Sequence, residues 1–387
     1  MKDLRMQHPR PQFIRDEWEL LDGKWNFKFD DHDKGSSEGW HQTIVDPQTI
    51  TVPYTYETQM SGVNDQSHHP IVWYEKEFEI TEPEHYSLIF EGVDYICQVW
   101  LNGNLLGMHQ GAYERFEFDL GSNLKEGINK ITMRIKDSMD CEQPRGKQRW
   151  QKDNFGCWYV QTTGIWKSVW LEKHLTQHRI ENVKITPDID RDMVIFEPKM
   201  HSSYLDISSW NYSLEIEVSF DNNLVNSYRG TFTHQMVPIE IDTRVKEDAS
   251  WGTKQWSPEN PNLYDVTFKL RDAEGILLDE AISYFGMRKI HIKNGQVLLN
   301  NCQLYQRLIL DQGYWPESGL TPPSLEALEK DIDKIFELGY NGLRKHQKIE
   351  DERFLYLCDK KGMLVWSEMP STFNFNDIAI ANFIDEW

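Results

Sequence analysis

At 387 residues, 13% of them aromatic with 15 Trp, the chain has room for roughly two to four domains with separate cores. A net charge of -21 with no offsetting basic block argues against nucleic acid or an anionic membrane surface as a partner. Cys97, Cys141, Cys157, Cys302 and Cys358 are scattered and lack CxxC spacing, which fits reduced thiols rather than a disulfide framework or a zinc site. The N-terminus has no apolar targeting segment and no later run reaches membrane-spanning length, so a cytoplasmic protein is expected. So many tryptophans suit a carbohydrate enzyme, whose indoles stack on sugar C–H faces, and suit large β-sandwich cores equally.

Residues 1–176 hold short alternating segments, of which 88–91, 97–101, 116–120, 131–136 and 167–171 read as strands. Leu101-Asn-Gly-Asn and Lys125-Glu-Gly-Ile-Asn are turn signals between them. No convincing amphipathic helix interrupts the pattern, which predicts an all-β jelly-roll sandwich. The polar, aperiodic stretch 140–155 reads as a long loop, and long loops in compact domains often carry function.

Residues 177–286 continue in short strands at 180–185, 212–220, 237–241 and 263–270, with a Pro-rich turn beginning at Trp256. That length suits an immunoglobulin-like β-sandwich. From 287 the pattern changes. After a short hairpin strand at 297–299, the run 304–311 closes on Asp311 and Gln312. Residues 324–338 carry Leu325, Leu328, Ile332 and Ile335 at helical spacing, with Ser324 as N-cap and Gly339 as the stop. A second strand at 340–346 ends in Arg344 and His346. A second helix at 351–361 stops at Gly362, and a third strand at 363–368 ends in Glu368. Strands alternating with helices imply parallel βαβ units, whose ligands gather at the strands' C-terminal ends. Residues 287–387 therefore read as an incomplete (β/α)8 TIM barrel of about three strands.

Several motifs accompany this order of domains: Leu21-Asp-Gly-Lys-Trp-Asn-Phe, Val52-Pro-Tyr, Phe90-Glu-Gly-Val-Asp, Val99-Trp-Leu-Asn-Gly and Thr163-Gly-Ile-Trp-Lys-Ser-Val-Trp-Leu-Glu in the first region. Pro261-Asn-Leu-Tyr and Phe285-Gly-Met-Arg mark the second. Gly339-Tyr-Asn-Gly-Leu-Arg and Leu357-Cys-Asp-Lys-Lys-Gly-Met-Leu-Val-Trp-Ser-Glu mark the third. Together they resemble glycoside hydrolase family 2, the β-galactosidase and β-glucuronidase family. The resemblance implies retaining hydrolysis of a terminal sugar from an oligosaccharide or glycoside. In that chemistry one carboxylic acid protonates the leaving oxygen and a second carboxylate attacks the anomeric carbon. In the family both are glutamates, one after the fourth barrel strand and one on the seventh. The resemblance therefore places both beyond Trp387 and makes this chain inactive alone. No organic cofactor is implied, some relatives use Mg²⁺, and a homo-oligomer is left open. The alternative is a non-catalytic carbohydrate-binding or interaction protein.

Two departures bear on the sugar. Where many members carry Arg-Gly-Val-Asn-Arg-His-Glu, this chain has Arg307-Leu-Ile-Leu-Asp-Gln-Gly, with Gln312 in the His position. Where Arg-x-Ser-His-Tyr is usual, it has Arg344-Lys-His-Gln-Lys, so Gln347 holds the His register and His346 falls one residue earlier. The candidate sugar contacts are Asp311, Gln312, Arg344, His346 and Glu368. By parity with Ile309 and Arg307, Asp311 is expected to face the barrel interior, as a sugar ligand or in an ion pair with Arg344. Glu368 is expected to shape the pocket rather than cut. Trp315 stacks on a sugar or packs on the sandwich, and His68-His-Pro reads as an exposed loop. The loop Arg145-Gly-Lys-Gln-Arg-Trp, with Asn154 and Trp158, is a candidate to reach the site.

Overall fold

The structure is a computed structural model describing residues 4–201, 212–232, 237–245 and 252–387. It is mostly β and multidomain, with separate hydrophobic cores. In the first region a six-stranded antiparallel sheet packs against a four-stranded one, and both line one core. Alternation explains the packing: along Gly127–Lys136, Ile131, Met133 and Ile135 point inward, meeting Leu88, Phe90, Val169 and Leu171 from the facing sheet. Asn102 and Gly103, both at positive φ, form the two-residue hairpin loop between Ile96–Leu101 and Asn104–Gln110, where a type I′ turn needs such residues.

The second region pairs a three-stranded with a four-stranded antiparallel sheet around Val194, Phe196, Ile216, Val266 and Phe268. Several long strands were not anticipated, and each had a reason to hide. Ile71–Ile80 is buried on both faces over its first half, so its sequence shows no alternation there. Met193–His201 carries Pro198, which reads as a strand breaker. Arg15 ties the two regions together. Its guanidinium is buried and pairs with Asp279 at 2.8 Å and with Glu172, a residue of the first region.

The third region holds three parallel strands in the order Leu308–Asp311, Gly342–Lys345, Leu364–Ser367. The helices Leu325–Glu337 and Glu352–Lys361 cover one face, with Leu328, Ile332, Ile335, Phe354 and Leu357 packed over Leu343. Ser324 caps the first helix by accepting from the Ala327 N–H at 3.1 Å. Gly362 ends the second at φ +80°, and a Cβ there would lie 2.3 Å from the Pro258 carbonyl oxygen. The opposite face leaves Leu310 and Trp366 each 55% exposed on either side of Arg344. A last helix, Asp377–Glu386, returns to the first region, where buried Glu386 accepts from the Ala112 and Tyr113 N–H groups. Among the described residues no helix is long and apolar enough to cross a membrane.

Candidate functional site

The C-terminal ends of the parallel strands carry two sets of charges, one on each face. Residues two apart share a face, so Arg344 and Lys345 leave Gly342–Lys345 in opposite directions. Arg344 pairs with Glu368, and His346 Nε2 lies 3.7 Å from the other carboxylate oxygen of Glu368. Burial holds the His346 imidazole below its ordinary pKa. Glu368 pulls upward, but Arg344 and Lys147 add to the lowering.

On the helix side Lys345 is buried over the Phe354 ring and pairs with Asp311 and Glu350. Lys348, fully buried, donates to Glu350, to the Gly313 carbonyl at 2.9 Å and to the Leu320 carbonyl at 2.7 Å. Burial opposes the Glu350 charge, yet Lys345 and Lys348 outweigh it and hold the carboxyl down at about 2.

This arrangement corrects the parity reading of the first strand. Ile309 packs into the helix-facing core, the Arg307 guanidinium donates to the Gly339 carbonyl, and Asp311 turns with them toward Lys345. Asp311 is therefore not on the interior face, and its partner is Lys345 rather than Arg344. Its second oxygen accepts from the Gly313 N–H at 2.7 Å, and the Asp311 carbonyl accepts from the His346 N–H at 2.7 Å. Trp315 packs on the helix-side core. His69 is half-buried, stacked on Phe29 between Asp31 and Asp65, rather than part of a bare exposed loop.

The loop of the first region closes over these strand ends. Arg145 and Gly146 donate their N–H groups to the Ser371 carbonyl just past the third strand. Gly146 sits at φ +58°, and a Cβ there would lie 2.4 Å from the Gln347 carbonyl oxygen. Gln347 has φ +60°, and its buried side-chain oxygen has no hydrogen-bond partner in the described protein. The Tyr159 hydroxyl donates to Gln312, and the Tyr159 ring stacks on Tyr314 at 4.2 Å. Trp150, Phe155, Trp158 and Phe373 cluster beside it. The loop's arginines are turned inward as braces: Arg145 donates to the Ser138 carbonyl at 2.7 Å and Arg149 to Asn154 and Gln161 at 2.8 Å.

The structure thus brings Gln312, Arg344, His346 and Glu368 together with Lys147, Trp158 and Tyr159. The roles of Tyr159, Lys345, Lys348 and Glu350 were missed in the sequence. The run Lys345-His-Gln-Lys-Ile-Glu350 held a signal, since three charges directly after a buried strand need partners. Nothing marked Tyr159, whose partner lies 153 positions away in sequence.

A cleft of about 1290 Å³ is lined by none of these site residues. It runs between the second region and the parallel sheet and is lined by Phe13, Lys184, Trp256, Ile292, Leu308 and Trp366, among others. It is apart from the loop that carries Lys147 and Tyr159.

Residues 18–175 match the sugar binding domain of "Glycosyl hydrolases family 2", and residues 178–288 match a second domain of the same family. A β-galactosidase of Lactococcus lactis is 26% identical over 381 residues, covering 91% of this chain and 35% of the relative. One of Thermoanaerobacter pseudethanolicus is 28% identical over 347 residues, covering 88% of this chain and 45% of the relative. The chain therefore spans less than half the length of these relatives. Among solved structures, a β-glucuronidase of Ruminococcus gnavus in complex with D-glucuronic acid superposes with a TM-score of 0.77 at 18% identity. That match covers 97% of this chain and 63% of the other. Two adjoining matches to one family, relatives aligned along most of the chain and the shared fold agree: the chain belongs to glycoside hydrolase family 2.

Proposed function

We propose that this chain provides the substrate-recognition part of a retaining, exo-acting β-glycosidase that removes terminal sugars, β-galactosyl or a related glycone. In this reading residues 1–176 are a jelly roll, 177–286 an immunoglobulin-like sandwich and 287–387 the first three strands of a (β/α) barrel. Gln312, Arg344, His346 and Glu368 line one wall of the sugar pocket, Asp311 holds Lys345 in place beneath it, and the loop around Lys147 and Tyr159 covers the rim.

The single observation that carries this reading is the seating of the 140–163 loop on the strand ends, which assembles a polar wall beside the Trp150–Trp158 aromatic cluster. Such a mix of hydrogen-bonding groups and indole faces suits sugar. The carboxylates present there are already committed, Glu368 to Arg344 and Asp311 to Lys345. Both are engaged by cations, which suits the reading in which the cutting carboxylates come from other barrel strands. A panel of chromogenic β-glycosides tests this directly. The 1–387 chain is expected to give no turnover on any of them, while galactose or glucuronate quenches its tryptophan fluorescence. Enzyme-like turnover by the pure chain would overturn the assignment of the carboxylates, and absence of any sugar response would overturn the pocket.

A further inference from the structure

Within the covering loop, Lys147 and Cys157 meet in an unusual way. The Lys147 side chain is buried, and its Nζ lies 2.9 Å from Cys157 Sγ and 4.7 Å from the Trp158 ring centroid. Among the described residues no carboxylate forms an ion pair with it. A buried ammonium normally takes a carboxylate or several carbonyls, as Lys345 and Lys348 do a short distance away. Here a thiol stands in that place. Cys157 is itself exposed, so solvent oxidants can reach it. The backbone on either side is fixed, since Tyr159 N–H donates to the Lys147 carbonyl and Arg149 N–H to the Tyr159 carbonyl, both at 2.8 Å. The pair is held in register rather than meeting by chance.

Cysteine reacts with peroxide through its sulfur, and here Lys147 Nζ faces that atom at 2.9 Å. We propose that Lys147 and Cys157 are an oxidisable pair, in which peroxide inserts a single oxygen atom between Sγ and Nζ and locks the loop. In the first step the thiolate sulfur attacks one peroxide oxygen, the O–O bond breaks, and the departing hydroxide takes the proton of the Lys147 ammonium. Cys157 is then a sulfenic acid beside a neutral amine. In the second step a further peroxide oxidises the amine nitrogen as the N–O bond forms, and two waters leave. The balance is Cys–SH + Lys–NH2 + 2 H2O2 → Cys–S–O–NH–Lys + 3 H2O, with sulfur and nitrogen each losing two electrons and two peroxides reduced. The N···S separation leaves room for one bridging atom and is too long for a direct bond. Closure removes the only charge that Lys147 brings to the neighbourhood of His346 and pins the segment that carries Tyr159.

The test is a peptide map of the folded 1–387 chain, reduced and then exposed to hydrogen peroxide. The expected product joins tryptic peptides 146–149 and 153–167 with a gain of about 14 Da, one oxygen in and two hydrogens out, reversed by dithiothreitol. Cys302, also exposed, is the internal control and stays unlinked. In Lys147→Arg the linked species disappears and a sulfenic acid on Cys157 is trapped by a cyclic dione. Wild-type Cys157 running on to unlinked sulfinic acid, or remaining a free thiol while Cys302 oxidises, would overturn the proposal. The readout is peptide mass, so it stands or falls independently of any glycosidase assay.

Discussion

Along Gly342–Lys345 adjacent side chains leave the sheet on opposite faces, and Arg344 and Lys345 inherit opposite energetics. The Arg344–Glu368 pair is open to solvent, so Arg344→Ala is expected to change stability by no more than about 1 kcal/mol. Lys345 is buried between Asp311 and Glu350, and Lys345→Ala leaves Asp311 without its cation and Glu350 with Lys348 alone, at about 3–5 kcal/mol. Denaturant titration of the two variants separates the cases, and equal losses would contradict the burial argument. Gly146 makes a second residue-scale case. Gly146→Ala combines a positive φ with a Cβ driven against the Gln347 carbonyl, so the loop must lift from the strand ends. The expected signs are a loss of about 1–3 kcal/mol and faster proteolysis within 140–163; an unchanged cleavage pattern would show that the contact is dispensable. At this scale the sequence was least legible. It offered Asp311, Arg344, His346 and Glu368 as strand-end residues. It could not tell which face Asp311 takes, because parity fixes only relative direction and the first strand's facing depends on where the helices pack.

The elements themselves were easier to see. Ser324, Gly339 and Gly362 sit where caps and stops belong, and the apolar spacing of 325–335 marks the buried stripe. The tight hairpin at Asn102-Gly103 was equally plain. Strands buried on both faces, such as the start of Ile71–Ile80, carry no period to read. The helix Asp377–Glu386 docks through Glu386, whose carboxyl is pushed up to about 7 by burial, against the two N–H bonds it accepts. A carboxyl with a raised folded pKa binds its proton more tightly in the folded state. Its stabilising contribution is complete below the unfolded value near 4.5 and is lost as pH rises through about 7. Docking of this helix should therefore weaken between about pH 5 and pH 7, seen as growing amide exchange in 377–386. Glu386→Gln, which cannot ionise, should flatten that trend, and a variant as pH-dependent as the wild type would assign the effect to another group.

At the scale of the whole molecule, the order of regions was legible because each has its own pattern: two alternating β regions, then helix and strand in turn. What joins them was not. Arg15 is one arginine among many in the sequence, yet it pairs with Glu172 of the first region and Asp279 of the second. Arg15→Ala strands both carboxylates and should cost about 3–5 kcal/mol. It should also split a single unfolding transition into two, resolved by calorimetry; one cooperative transition at lower temperature would mean that the regions are coupled by other contacts.

That same residue sets a schedule for biosynthesis. Arg15 emerges before Glu172, and Asp279 arrives roughly 5–20 s after Glu172 at ordinary elongation rates. During that interval the first region can assemble its sheets, but its guanidinium waits half-matched with Asp279 still to come. The first region thus becomes final only when the second is nearly translated, and a pause within residues 178–279 would prolong the one stage at which the nascent chain holds an unfinished ionic seam.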